Sequence, residues 1–274
     1  MDFGLTGDVI MVTGGGSGIG RQTALLAAGQ GARIAVCDVN AASANGVCDE
    51  ILSAGGKARS FVFDVTNPAD TESAVSEAER CLGPIAGLVA AAGISRPQLA
   101  ETMPFDTWSN VIAVNLTGVF LSSQTVGRRM IGRGAGSIVA IASSDALGGH
   151  PARAHYCASK YGVVGLVKTL ALEWGRHGVR VNATAPGAVD TPMLRRGVPA
   201  SFIDGVMIDR TPMKRLATAA DQALAYLFLL SKAASFINGV LLPVDGGATG
   251  GYLTGRSGAD YGSNALAASG AYEP

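Results

Sequence analysis

Charged side chains are scarce in this chain, at 15% of 274 residues, and they cancel: 21 Lys plus Arg face 21 Asp plus Glu. Without a basic field there is nothing to draw in a phosphate backbone or an anionic bilayer, which excludes nucleic acid and membrane surfaces as expected partners. Long apolar runs are missing too. Stretches such as Leu224 to Leu230 fall far short of the roughly 20 residues that a helix needs to cross a bilayer. Cys37, Cys48, Cys81 and Cys157 lack C-x-x-C spacing, and no signal peptide stands upstream, so a disulfide framework is not expected and free thiols in a reducing cytoplasm are. His150, His155 and His177 form no ligand cluster, and no metal is expected.

Hydrophobic residues make up 48%, enough for a sizeable core, and 38 glycines suit tight turns between closely packed helices and strands. Aromatics are only 6%. Short apolar runs at Val9–Val12, Arg33–Cys37, Ala58–Phe63, Gly87–Ala91, Ser137–Ala142, Arg180–Ala185 and Gly239–Val244 alternate with helix-like segments. That alternation predicts a mostly parallel seven-stranded sheet with helices on both faces, and apolar runs without polar alternation predict strands buried on both sides. Pro104 to Arg129 and Ala158 to Trp174 read as long helices. The second carries more apolar residues than one buried face needs, leaving core packing and a subunit interface both open.

Between the first strand and a helix-like stretch lies Thr13-Gly14-Gly15-Gly16-Ser17-Gly18-Ile19-Gly20. A glycine turn at the start of a βα unit lets backbone approach a pyrophosphate, whose charge then faces the unpaired N–H groups of the helix N-terminus. Asp38, at the end of the second strand and eighteen residues after Gly20, stands where a carboxylate can accept hydrogen bonds from an adenosine ribose. The same charge repels a 2′-phosphate, and neither Gly15 nor Val39 supplies a compensating cation, which favours NAD over NADP. Arg21 and Arg33 are the cations that could reach round.

Tyr156-Cys157-Ala158-Ser159-Lys160 places a phenol and an ammonium four residues apart, on one face of a helix, with Ser143 thirteen residues upstream. A nearby ammonium can lower a phenol's pKa from about 10 and make Tyr156 an acid/base near neutral pH. Ser143 as a covalent nucleophile is disfavoured, because no G-x-S-x-G surrounds it and no general-base histidine is identified.

With both motifs in place, the chain from about Leu5 to Gly247 resembles the short-chain dehydrogenase/reductase family. Its T-G-x-x-x-G-x-G spacing, Ser143, Tyr156 and Lys160 match, as do Asp64-Val65 after the third strand, Asn115 in Val114-Asn115-Leu116-Thr117-Gly118, Pro186-Gly187 with Thr191, and Val244-Asp245-Gly246-Gly247. The resemblance implies a Rossmann-type doubly wound α/β fold. It implies NAD held by Gly14, Ser17, Gly18, Ile19, Gly20, Asp38, Asp64, Val65, Ala91, Gly93, Tyr156, Lys160, Pro186, Gly187, Val189 and Thr191. Tyr156 would exchange the proton, Ser143 hold the substrate oxygen, Lys160 tune the tyrosine and grip the nicotinamide ribose, and Asn115 hold a water leading to solvent. Where the family has Asn-Asn-Ala-Gly, this chain has Ala90-Ala91-Ala92-Gly93, which removes side-chain hydrogen bonds expected to brace the sheet.

The resulting expectation is a hydride transfer between NAD(H) and a small secondary alcohol or ketone, in a homo-oligomer for which the family favours a tetramer. Ser95, Asp145, His150 and Met193 lead the candidate substrate contacts, with Arg96, Arg153, His155 and Val189 beside them and Ala146, Leu147 and Leu194 as apolar wall. Several are ionisable, pointing to a hydroxylated or anionic molecule. Residues 1–247 are expected to form one dinucleotide-binding and catalytic domain, with 192–216 as a substrate lid. The extension 248–274, anchored by Tyr252, Leu253, Tyr261, Leu266 and Tyr272, would dock on a neighbouring subunit or fold back on its own. Two other readings stand: a 3-oxoacyl carrier-protein reductase docking its acidic carrier on Arg128-Arg129, and a non-catalytic cofactor-binding protein.

Overall fold

A computed structural model describes residues 2–251 of the chain. Seven parallel strands form one sheet: β1 Val9–Thr13, β2 Arg33–Asp38, β3 Lys57–Val62, β4 Ile85–Ala90, β5 Gly136–Ile141, β6 Val179–Pro186 and β7 Leu241–Val244. Their order in space is β3-β2-β1-β4-β5-β6-β7. The chain winds outward from β1 to β3 and then returns to pair β4 against β1, with Thr13 opposite both Cys37 and Ala90. The reversal opens a crevice at the carboxyl ends of β1 and β4, where open α/β sheets bind ligands. This is the Rossmann-type doubly wound architecture expected from the sequence.

Alternate side chains of the central strands enter two separate cores, as period-2 geometry requires. Met11, Leu88, Ile138 and Val181 pack with Val75 of α3 (Pro68–Leu82), Val126 and Met130 of α5 (Gly118–Arg133), and Val163 and Val167 of α6 (Ala154–Trp174). Ile10, Val12, Val89 and Val139 face Ala24 and Ala27 of α1 (Gly18–Gly29), Val47 of α2 (Ala41–Ser53), and Tyr226 and Leu227 of α9 (Ala219–Leu230). Burial on both faces holds for the inner strands and fails at the edge. In β3, Lys57, Arg59 and Val62 are exposed, because that strand has a neighbour on one side only.

Pro104 to Arg129 is not one regular helix. It divides into α4 (Phe105–Ile112), a wide π turn at Ala113–Thr117, and α5, which runs on to Arg133. Helical dihedrals persist through the π turn, and Asn115 at its centre turns inward to bond with the segment after β4. The second long helix begins at Ala154, four residues earlier than expected, so Tyr156 lies in its first turn. β7 starts at Leu241, since Gly239 adopts a left-handed φ of 80° that ends the preceding loop.

The alanines that replace the family's asparagines leave the sheet intact, because Thr13 supplies the bracing instead. Its carbonyl accepts the Ala91 N–H at 3.1 Å and its hydroxyl accepts the Ala92 N–H at 3.4 Å. Part of α6's apolar surplus enters the core at Val163, Val167 and Leu170, while Leu172 stays 85% exposed, Tyr161 about half exposed and Phe105, on α4, largely exposed. Arg128 and Arg129 both bond Glu72, and Arg129 shares Glu79 with Arg133, so an acidic carrier docking there would compete with these carboxylates. The named anchors of the extension, Tyr252, Leu253, Tyr261, Leu266 and Tyr272, lie outside the described residues.

Candidate active site

One cavity of about 1070 Å³ opens along the carboxyl edge of the sheet and collects residues from the glycine turn, Asp38, Asp64-Val65, Ser143, the Tyr156–Lys160 pair and residues 186–194. At one end sits the glycine turn. Gly14 and Gly18 take left-handed φ values of 66° and 51°, which a side chain would strain. Backbone crowding adds to this: a Cβ on Gly14 would lie 2.8 Å from Ala92, and one on Gly20 would run into the Gly14 carbonyl oxygen. The turn is therefore a bare cradle at the N-terminus of α1, shaped to take a dinucleotide's pyrophosphate.

Asp38 borders this cradle. Its Oδ2 accepts the Gly16 N–H at 3.0 Å and its Oδ1 the Asn40 N–H at 2.9 Å, so the carboxylate is fixed in place at the end of β2 with acceptor capacity left over. Neither distant cation reaches it. Arg21 is held by Glu50, and Arg33 donates to the Gly7 carbonyl at the opposite end of β2. Phe63, Asp64 and Val65 continue the wall, with Asp64 Oδ1 engaged by the backbone and hydroxyl of Thr66, both at 2.8 Å. The residue types and the empty volume over the glycines fit an adenine dinucleotide.

At the other end, β5 delivers Ser143 and α6 delivers Tyr156 and Lys160 to the same cavity. The Ser143 Oγ accepts the Asp145 N–H at 3.1 Å, and its own hydroxyl is within reach of Tyr156 as a donor. Lys160 is 4% exposed, and its Nζ donates to the Ile141 carbonyl at 2.7 Å. Burial lowers its pKa from 10.5 to about 8. Tyr156 goes the other way. Burial and the Asp145 carboxylate push its pKa up to about 12, against the opposing pull of the Ser143 hydrogen bond and the Arg153 charge. The expected lowering of the phenol by Lys160 does not emerge: the ammonium stands 5.6 Å from the ring centre and is itself tied to Ile141.

Asn115 lies behind the cavity wall, fully buried. Its side chain accepts the Ile94 N–H at 2.8 Å, donates to the Ile94 carbonyl at 3.0 Å and reaches Ser159 at 3.3 Å. Gly93 brings these parts together, since a Cβ there would lie 3.4 Å from Asn115 Oδ1 and 3.8 Å from Lys160 Nζ. Of the remaining expected cofactor contacts, Ser17, Ile19, Ala91, Pro186, Gly187, Val189 and Thr191 all line the cavity.

Ser95, Asp145, His150 and Met193 also line it, with Asp145 and His150 paired at 3.4 Å. Arg96, Arg153, Leu147 and Leu194 join them. His155 does not: it is buried in the first turn of α6 and bonds the Arg96 carbonyl at 2.8 Å. Ala146 is likewise packed into the core. Residues 192–216 fold as short helices, α7 (Pro192–Gly197) and α8 (Ala200–Phe202), followed by a π turn, and they roof the cavity with Met193, Phe202 and Met207. Sequence reasoning missed Ile94, Ser144, Arg196, Arg210 and Thr249. Arg196 was recoverable from its place three residues after Met193 on one helical face. Thr249 was recoverable from the turn in which Asp245 accepts the N–H groups of Gly247 and Thr249.

A doubly wound sheet with a dinucleotide cradle at one end of its cavity and a Ser, Tyr and Lys at the other defines a nicotinamide-dependent oxidoreductase. Residues 7–249 match the family model described as Enoyl-(Acyl carrier protein) reductase. The chain is 40% identical over 248 residues to a D-threitol dehydrogenase of Mycolicibacterium smegmatis, covering 90% of this chain and 95% of that protein. It is 42% identical to a galactitol 2-dehydrogenase (L-tagatose-forming) of Cereibacter sphaeroides, covering 90% and 97%. A gluconate 5-dehydrogenase from Burkholderia cenocepacia, solved in complex with NADP and tartrate, superposes with a TM-score of 0.88 at 36% identity over 91% of this chain and 98% of that one. The chain belongs to the short-chain dehydrogenase/reductase family, and its relatives make it an oxidoreductase acting on secondary alcohols.

Proposed function

We propose that the protein is an NAD-dependent dehydrogenase of small, hydroxylated secondary alcohols, working in reverse as a ketone reductase. The observation that carries this reading is the meeting of Ser143, Tyr156 and Lys160 with the Asp38 end of the glycine cradle in a single cavity. The nicotinamide, when bound, supplies the hydride acceptor or donor; the chain supplies the proton and the geometry. With substrate bound, the Ser143 hydroxyl donates to the substrate oxygen and fixes it beside Tyr156. The Tyr156 hydroxyl takes the alcohol proton on oxidation and returns it on reduction. Lys160, whose pKa burial brings down to about 8, passes that proton on. Asn115's side chain is committed to Ile94 and Ser159, so a water in this path would bind its backbone within the π turn.

Support for NAD comes from Asp38, whose carboxylate is fixed beside the glycine cradle with neither Arg21 nor Arg33 at hand to neutralise a 2′-phosphate. The gluconate dehydrogenase relative binds NADP, which makes the cofactor a point to measure. Polyol names among the relatives support a hydroxylated substrate, and the polar cluster of Ser95, Asp145, His150 and Arg153 suits one. Residues 192–216 would act as the lid, within a single catalytic unit spanning 1–247. Exposed Phe105, Tyr161 and Leu172 give α4 and α6 faces that a homo-oligomer, a tetramer by family resemblance, would cover. The four free cysteines suit a cytoplasmic setting.

Turnover of a panel of secondary alcohols and polyols, with NAD and NADP supplied separately and reduced nicotinamide followed by absorbance, tests the reading. Oxidation with a higher kcat/KM for NAD is expected. Absence of turnover with both nucleotides across the panel refutes it.

A further inference from the structure

Many surface arginines are matched to carboxylates, among them Arg21 to Glu50, Arg133 to Glu79, Arg195 to Asp190 and Arg215 to Asp221. Others, such as Arg33 and Arg180, spend their donors on main-chain carbonyls. Arg96, Arg153, Arg196 and Arg210 line the cavity with no ion-pair partner among the described residues. Arg153 is the one closest to the chemistry. Its guanidinium carbon lies 5.6 Å from the centre of the Tyr156 ring, and one of its nitrogens donates to the Ser95 hydroxyl at 2.5 Å.

The placement is enforced by the backbone. Ala152, immediately before it, is a non-glycine residue with a left-handed φ of 60°, and its carbonyl is held by the Gln98 N–H at 2.8 Å. Arg153 is thereby fixed half-buried between the β4–α4 connection and the first turn of α6. A guanidinium carries five N–H donors in a planar fork, and Ser95 takes only one of them. The donors left over are of the kind that take a carboxylate bidentately. Asp145, the carboxylate on this side of the cavity, pairs with His150 instead.

We propose that the substrate is a hydroxy acid, and that Arg153 binds its carboxylate while Ser143 and Tyr156 hold the carbinol oxygen. This rests on the dehydrogenase reading above and narrows its substrate class. Fixing the carboxylate end sets which carbinol carbon is presented to the nicotinamide, so Arg153 determines specificity as well as affinity.

The test compares hydroxy acids of three to six carbons with neutral polyols of the same length, as ratios of kcat/KM, in the wild type, Arg153→Gln and Arg153→Lys. Wild type is expected to favour the acids. In Arg153→Gln that acid-to-polyol ratio should fall by about 10²-fold, the order expected when one partner of a buried charge pair is lost, with Arg153→Lys intermediate. A role confined to bracing Tyr156 would depress both substrate series alike and leave the ratio where it was, which overturns the proposal. Preference for neutral polyols or for phosphorylated ones overturns it as well, while leaving the dehydrogenase reading standing. Turnover of neither series with either nucleotide sinks the dehydrogenase reading and this one with it.

Discussion

Lys160 Nζ donates to the main-chain carbonyl of Ile141 at 2.7 Å, tying the first turns of α6 to the last residue of β5, two positions before Ser143. The bond links the two elements that bear the proposed proton carriers. It also holds an ammonium in a place where burial opposes its charge.

That conflict has a measurable cost. The folded pKa of Lys160, about 8, lies below its ordinary 10.5. Below pH 8 the group is charged in both states and the folded protein bears the burial penalty; between 8 and 10.5 the unfolded chain holds the extra proton, so stability rises with pH. Lys160→Met, which keeps the apolar stem, should therefore abolish turnover yet stabilise the fold at pH 7, by on the order of 1–3 kcal/mol. The variant's advantage should shrink as pH climbs from 8 to 10.5. Urea unfolding of both proteins across pH 6–10.5 checks this, and a variant less stable at pH 7 contradicts it.

Tyr156→Phe should cost 10²–10⁴-fold or so in kcat while leaving nucleotide affinity nearly intact, because the ring remains and only the proton carrier is lost. Steady-state kinetics with a fluorescence titration of nucleotide separates the two quantities. Residual activity above about a tenth of wild type would hand the proton to another group.

Asp38→Ala removes a fixed acceptor and a repulsive charge together. The NAD-to-NADP ratio of kcat/KM should fall, by roughly tenfold or more if a charge-assisted ribose hydrogen bond is lost. Because Oδ2 also holds the Gly16 N–H, affinity for both nucleotides should drop somewhat. An unchanged ratio would place the ribose elsewhere.

Gly20→Ala asks for space that is already filled by the Gly14 carbonyl. The turn must shift for the variant to fold, so nucleotide binding should weaken by at least tenfold, with destabilisation of roughly 1–3 kcal/mol as for overpacking elsewhere. Calorimetry for Kd and thermal unfolding for stability test this. A variant that bound nucleotide normally would show that the cradle is softer than its contacts imply.

Local order carries the sequence signals that succeeded. The strand runs, the glycine turn and the Tyr156–Lys160 spacing each depend on residues within a few positions of one another, and the physics that shapes them is equally local: side-chain alternation, the steric freedom of glycine and helical periodicity. Parallel topology followed from strands separated by helices. The π turn around Asn115 escaped notice because its cause is a pair of bonds to Ile94, twenty-one residues away. His155 was misplaced for a related reason. One helical position separates it from Tyr156, and only packing against the Arg96 carbonyl shows that it points to the interior.

What the sequence by itself determined is the chemistry's inventory: the cradle, the acidic residue at the end of β2, and a serine, tyrosine and lysine at family spacing. Tertiary structure decided their electrostatic state. A sequence shows Lys160 beside Tyr156 and suggests a lowered phenol, whereas burial raises the phenol and lowers the amine, since desolvation depends on every chain segment that excludes water from the site. Tertiary structure also decided which cations are free. Arg128, Arg129 and Arg153 look alike in sequence, yet Glu72 and Glu79 of α3 pair with the first two while, among the described residues, no acidic side chain is brought within ion-pair reach of the third. Charge pairing is a long-range property of the fold, and it leaves Arg153 facing the cavity.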